Sequence, residues 1–148
     1  MRLVITLYAL GLLVYPAWGL VSPETYQAEL AEDYSQAASA TPAQLQIAAA
    51  LHWLKNAYLA FIFLLLARYL GRPEQAGDVK RAGALMLAFP VVLLVHQVLT
   101  QIGMSPDPED LELQIRLRGE WLLYAVLGVA LIGLARHLGS TAADANPQ

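Results

Sequence analysis

The sequence lacks cysteine altogether and has little charge. With no cysteine among its 148 residues, both a disulfide and a thiolate metal site are excluded. Only 14% of the residues are charged, whereas soluble domains average about 25%. The few lysines and arginines form no basic stripe of the kind that binds nucleic acid. By contrast, 57% of the residues are hydrophobic. This balance is typical of a membrane protein.

Four apolar segments are long enough to cross a bilayer. A helix needs about 20 apolar residues to span a hydrocarbon core of roughly 30 Å. The segments that meet this length are residues 3–21, 45–70, 82–104 and 119–138. Because short connections make consecutive helices antiparallel neighbours, the sequence predicts an all-α integral membrane protein with four transmembrane helices in an antiparallel bundle. Residues 1–138 form its single domain, and residues 139–148 are expected to be a disordered cytoplasmic tail.

The charges of the connections predict an orientation. The connections after the first and third spans are mainly acidic, whereas the middle connection carries Arg68, Arg72, Lys80 and Arg81. Positive residues stay on the cytoplasmic side. Both termini and the middle connection are therefore expected in the cytoplasm of a bacterium, with the chain in the inner membrane. An alternative is that residues 1–19, which have one basic residue and an apolar stretch, form a cleaved signal peptide.

The first acidic connection has the spacing of a short amphipathic helix. Tyr26, Leu30 and Tyr34 recur at helical intervals, which predicts an outer helix between the first two spans. It is either a lid on the bundle or a surface that binds a partner. Thr41 and Gln44 then form a predicted capping box that begins the second long helix.

The second acidic connection alternates with a period of two. The apolar residues Leu111, Leu113, Ile115 and Leu117 alternate with polar ones, which is a strand pattern. No other part of the sequence shows a matching alternation, so a strand here could pair with a strand of another protein. The alternative is an irregular segment whose leucines rest on the membrane surface.

Polar residues occupy the second and third spans, where apolar residues would be expected. His52, Lys55 and Asn56 share one helical face, and His96 and Thr100 share another. Polar side chains within a span usually face the interior of the bundle. The candidate polar pocket consists of His52, Lys55, Asn56, His96, Gln97, Thr100, Gln101, Glu120 and Tyr124.

Two histidines of this pocket are expected at one depth. His52 lies 16 residues before Arg68, and His96 lies 15 residues after Arg81. Two such imidazoles could be axial ligands of a b-type haem, and histidine and glutamine suit the carbonyl groups of a quinone. A zinc site is not expected, because no third and fourth ligand lie nearby. The alternative to a cofactor is that these side chains join the helices by hydrogen bonds.

Together these patterns predict a non-enzymatic membrane protein: an accessory, regulatory or immunity-type subunit that binds another envelope protein through its outer segments. No nucleophile stands beside a histidine and an acid. The predicted partners are the lipid bilayer and a membrane or envelope protein, without nucleic acid, and no cofactor or metal is predicted. The alternative is a redox protein that binds b-haem or quinone through His52 and His96. The nearest pair of small residues four apart is Ala84 with Ala88, so self-association is allowed but not indicated.

Overall fold

A computed structural model describes residues 1–71, 76–105 and 118–144. These residues form five α-helices and one short 3-10 helix, Ser35–Ser39, that lies between the second and third. The α-helices are α1 (Arg2–Val21), α2 (Pro23–Asp33), α3 (Pro42–Gly71), α4 (Ala76–Met104) and α5 (Gly119–Asp144). All but α2 are long and apolar enough to cross a membrane, and the described ranges contain no strand. The all-helical prediction is confirmed.

The beginning of α3 agrees with the sequence prediction, whereas the end of α5 extends beyond the predicted span. The capping box before α3 is confirmed: the Thr41 N–H donates to Gln44 Oε1 at 2.8 Å, and the Gln44 N–H donates to Thr41 Oγ1 at 3.4 Å. At the other end of the chain, α5 continues to Asp144. Residues 139–144 are thus helical, where the sequence predicted disorder. Ala142 and Ala143 favour this extension, since alanine is the best helix former.

The described chain divides into two compact units. Unit 1 comprises Met1–Leu10, Leu59–Val91 and Leu117–Gln148, and unit 2 comprises Gly11–Tyr58 and Val92–Arg116. The sequence predicted a single domain. Three helices contribute to both units, because a helix of 30 residues such as α3 is about 45 Å long and its two ends have different neighbours.

In unit 1, α4 and α5 approach each other at two glycines. A Cβ on Gly128 would lie 2.6 Å from the backbone nitrogen of Leu87, and a Cβ on Gly83 would lie 2.9 Å from Ile132 Cγ1. Both distances are well inside van der Waals contact, so only glycine allows the two backbones to come this close. No spacing along one helix could indicate this contact, because each helix contributes one glycine.

Unit 1 also holds a buried acid in the first turn of α4. Asp78 is 3% exposed, and its carboxylate lies 3.2 Å from Arg68 Nε and 3.6 Å from Arg81 Nη1. A negative charge in the first turn is also favoured by the helix dipole. Two of the arginines that predicted the orientation of the chain therefore form ion pairs with one carboxylate.

The core of unit 2 is formed by α2, the 3-10 helix, the beginning of α3 and the end of α4. Tyr26, Leu30 and Ala37 are buried together with Leu45, Ala48, Ala49 and Met104. The apolar face predicted for the short helix is thus directed into the protein. A second contact joins α1 to α3: Trp53 Nε1–H donates to the Leu13 carbonyl at 3.1 Å.

Candidate ligand-binding site

Unit 2 brings the two histidines of the candidate pocket together. The ring centroids of His52 on α3 and His96 on α4 are 6.1 Å apart, with their planes at 65°. The ring of Tyr26 on α2 lies 4.9 Å from that of His52. Three helices therefore each contribute one ring to a continuous row, within the usual range of 4.5–7 Å for ring contacts.

The neighbours of His52 determine which of its nitrogens carries the proton. Lys55 Nζ lies 3.5 Å from His52 Nδ1, and Asn56 Nδ2 donates to the His52 carbonyl at 2.9 Å. An ammonium group can only donate, so a hydrogen bond from Lys55 requires Nδ1 to accept and places the ring proton on Nε2. In that tautomer His52 presents an N–H donor at Nε2.

The α4 side of the site contains two polar atoms that lack a hydrogen-bond partner. Gln97, Thr100 and Gln101 are all buried, and Gln101 Nε2 donates to the Gln97 carbonyl at 3.3 Å. By contrast, His96 Nε2 and Thr100 Oγ1 are buried without a partner in the part of the chain that the structure describes. They lie one helical turn apart on one face. Since an unsatisfied buried polar group costs about 1–3 kcal/mol, a ligand that bonds to both atoms would remove a real penalty. His52, His96 and Thr100 are called the histidine–threonine cluster below.

The last two residues predicted for the pocket belong to unit 1. Glu120 is exposed at the beginning of α5, and the ring of Tyr124 packs edge to face against Phe89, with centroids 4.8 Å apart. The histidine–threonine cluster is therefore defined by unit 2 alone.

The residues predicted to bind a partner have different positions. Tyr26 and Leu30 are buried in the core of unit 2, and Tyr34 is packed against it and half-buried. This burial agrees with the alternative that the short helix covers its own protein, and partner binding through Tyr26 and Leu30 stays a prediction. The other predicted residues, Leu111, Leu113, Ile115 and Leu117, lie outside the described residues.

An apolar pocket of about 350 Å³ has Tyr26, the neighbour of His52, in its wall. It is lined by Val14, Tyr15, Pro16, Trp18 and Gly19 of α1, by Tyr26 of α2 and by Ala49 of α3. Its volume falls within the range of about 300–1,000 Å³ found for small-molecule sites. The sequence did not predict this pocket, because the apolar residues of α1 resemble those of any helix that faces lipid.

The position of the His52 proton bears on the kind of ligand. An axial ligand of haem needs a lone pair on the coordinating nitrogen, and metal-ligating histidines usually donate their other N–H to an acceptor. Lys55 at Nδ1 favours the opposite arrangement, in which Nε2 donates. The cluster thus fits a ligand that accepts a hydrogen bond better than it fits two axial bonds to iron.

Comparisons with protein-family models, curated proteins and solved structures found no match. The fold and the cluster therefore define the class of protein: a helical chain with four helices able to cross a membrane and a buried histidine–threonine cluster in unit 2.

Proposed function

We propose that this protein binds a small carbonyl-bearing ligand of the quinone class at the histidine–threonine cluster. One observation carries the proposal: His96 Nε2 and Thr100 Oγ1 are buried without a partner among the described residues. A quinone carbonyl can accept a hydrogen bond from the Thr100 hydroxyl or from His52 Nε2–H. The hydroxyl of the reduced form can donate to His96 Nε2. In the oxidised state the head group could therefore bond to Thr100 and His52, and in the reduced state its hydroxyl could also bond to His96.

A titration with the tail-free ubiquinone head group (dimethoxy-methyl-benzoquinone) tests this proposal. Quinones quench tryptophan fluorescence, and the absence of cysteine removes the thiols that would react with the probe. We expect saturable quenching in the wild-type protein and about tenfold weaker binding in Thr100→Val and His96→Phe, a loss of about 1.4 kcal/mol. Thr6→Val is the matched control, since the Thr6 hydroxyl donates to the Arg2 carbonyl. Equal affinities in all four proteins would refute the proposal.

The proposal also includes the position and orientation of the protein in the membrane. The chain crosses the inner membrane of a bacterium as four antiparallel helices, with both termini in the cytoplasm. The length and apolar character of α1, α3, α4 and α5 and the arginines near the α3–α4 connection support this arrangement. Polar side chains of the cluster would then face the protein interior.

Single cysteines in this cysteine-free chain test the orientation. Glu32 on α2 and Lys80 on α4 are both exposed. In intact cells, a membrane-impermeant maleimide should label Glu32→Cys, and it should label Lys80→Cys only after the cells are permeabilised. The reverse pattern would contradict the proposed orientation.

The haem alternative makes its own spectroscopic prediction. Haem held by His52 and His96 would give the purified protein a Soret band that shifts on reduction with dithionite and is lost in His52→Ala and His96→Ala. A flat visible spectrum from folded protein produced with ample haem would exclude that alternative.

A second candidate function is that of an accessory subunit of another envelope protein. The observation that favours it is the alternation of apolar and polar residues over 111–118, which predicts an added strand. Ile115→Pro should then abolish co-purification of the partner, whereas Ile115→Val, which keeps a β-branched residue, should not. Unchanged co-purification of the partner with Ile115→Pro would remove this candidate.

A further inference from the structure

We infer that the ligand is an amphiphile whose apolar tail occupies the pocket lined by α1, Tyr26 and Ala49, while its head group binds the histidine–threonine cluster. This inference rests on the proposed function and names the form of quinone that the site takes: one with an alkyl or isoprenoid tail. The pocket and the cluster are called the tail pocket and the head-group site here.

Tyr26 connects the two halves of this site. Its side chain is part of the wall of the tail pocket, and its ring lies 4.9 Å from that of His52. A ligand that extends past Tyr26 would therefore pass from an apolar environment to the polar atoms of the cluster. This change in polarity matches that of a quinone, which has a polar ring and an apolar tail.

The small residues of the tail pocket leave space that helix packing does not require. A Cβ on Gly19 would lie 3.6 Å from Tyr26 Cβ and 3.7 Å from Ala49 Cβ, which are ordinary contact distances. Gly19 thus differs from Gly128, where a Cβ would meet backbone at 2.6 Å. Because packing tolerates a larger residue at position 19, the absence of a side chain there serves to keep the pocket open.

The volume of the pocket agrees with that of a short tail. A volume of about 350 Å³ lies near the lower end of the range of about 300–1,000 Å³ for small-molecule sites, which suits a short tail. The lining consists of apolar and aromatic side chains, which offer dispersion contacts to a hydrocarbon chain.

The test compares the tail-free head group with decylubiquinone, which has the same head group and a decyl tail. Val14→Phe adds bulk to the tail pocket from an exposed position, and Gly19→Ala adds one methyl group at an ordinary contact distance. We expect the affinity for decylubiquinone to fall about tenfold in Val14→Phe and about twofold in Gly19→Ala. The affinity for the tail-free head group should stay unchanged in both. Gly11→Ala is the control, because no atom lies within 4 Å of its added Cβ.

The outcomes separate this inference from the function on which it rests. If Val14→Phe leaves both affinities unchanged, the tail lies elsewhere and the inference is overturned, while head-group binding stands. If Val14→Phe weakens both probes equally, the pocket holds the head group and the inference is likewise overturned. Failure of the wild-type protein to bind the tail-free head group would instead refute the proposed function. A short-chain diacyl phospholipid that binds where decylubiquinone does not would assign the tail pocket to membrane lipid and overturn the inference.

Discussion

Helices approach each other closely at two places: the contact between α4 and α5 in unit 1, and the histidine–threonine cluster in unit 2. The two places differ in whether they leave buried polar atoms without a hydrogen-bond partner. At Gly83 and Gly128 the backbones meet directly, and the space between them is filled. At His96 and Thr100 two buried polar atoms have no partner within the described chain. The first contact is complete by itself and accounts for stability. The second leaves two polar atoms to which a ligand could bond, and it is the place where we propose that the protein binds one.

The largest loss of stability should come from disrupting the contact between α4 and α5. Gly128→Ala places a methyl group 2.6 Å from the Leu87 nitrogen. Since backbone atoms cannot move as a side chain can, we expect a loss of about 3 kcal/mol in the free energy of unfolding in mild detergent. Gly133→Ala on the same helix is the control, because nothing lies within 4 Å of its added Cβ. Equal melting temperatures for both variants would contradict the close approach of α4 and α5.

A smaller loss is expected from the ion pairs of unit 1. Asp78→Asn removes the charge that pairs with Arg68 and Arg81, and we expect a loss of about 2 kcal/mol, less than the roughly 3–5 kcal/mol lost when a fully buried ion pair is broken. Exposure of the two arginine side chains, 57% and 73%, limits the cost because water can solvate them once the carboxylate is gone. Glu120→Gln replaces the exposed acid in the first turn of α5 and should change thermal unfolding little. A larger loss for Glu120→Gln than for Asp78→Asn would contradict this account.

The contact of α1 with α3 in unit 2 should contribute less to stability than the ion pairs of Asp78. Trp53→Phe keeps an aromatic ring and removes the hydrogen bond to the Leu13 carbonyl, so we expect a loss of about 1 kcal/mol. Chemical unfolding, followed by far-ultraviolet circular dichroism, would measure it. Tyr69→Phe, which removes a hydroxyl from the same helix, provides the comparison. No change in Trp53→Phe would show that this bond does not hold α1 in place.

Much of the fold, but less of the site, could be predicted from the sequence. The long helices follow from apolar length, the beginning of α3 from the Thr41 and Gln44 capping box, and α2 from the spacing of Tyr26 and Leu30. These features depend on residues close together along the chain. His52 and His96 were also evident, because each interrupts an apolar run.

The contacts between helices could not be predicted in the same way. A helix that is apolar on all sides gives no indication of which face packs against a neighbour. Gly128 therefore resembles Gly133 in the sequence, although a Cβ would meet backbone only at Gly128. For the same reason the tail pocket beside Gly19 was not predicted, and the sequence left open whether the face of Tyr26 and Leu30, which is buried in unit 2, covers the bundle or binds a partner.

Thermal unfolding of Thr100→Val, with and without decylubiquinone, tests the central claim most directly. Valine keeps the shape of threonine and removes a buried hydroxyl that has no partner within the described chain. The ligand-free variant should therefore be more stable than the wild-type protein by about 1 kcal/mol, and decylubiquinone should stabilise it far less. If Thr100→Val instead lowers the melting temperature of the ligand-free protein and responds to decylubiquinone as the wild-type protein does, the cluster is a structural contact and not a binding site.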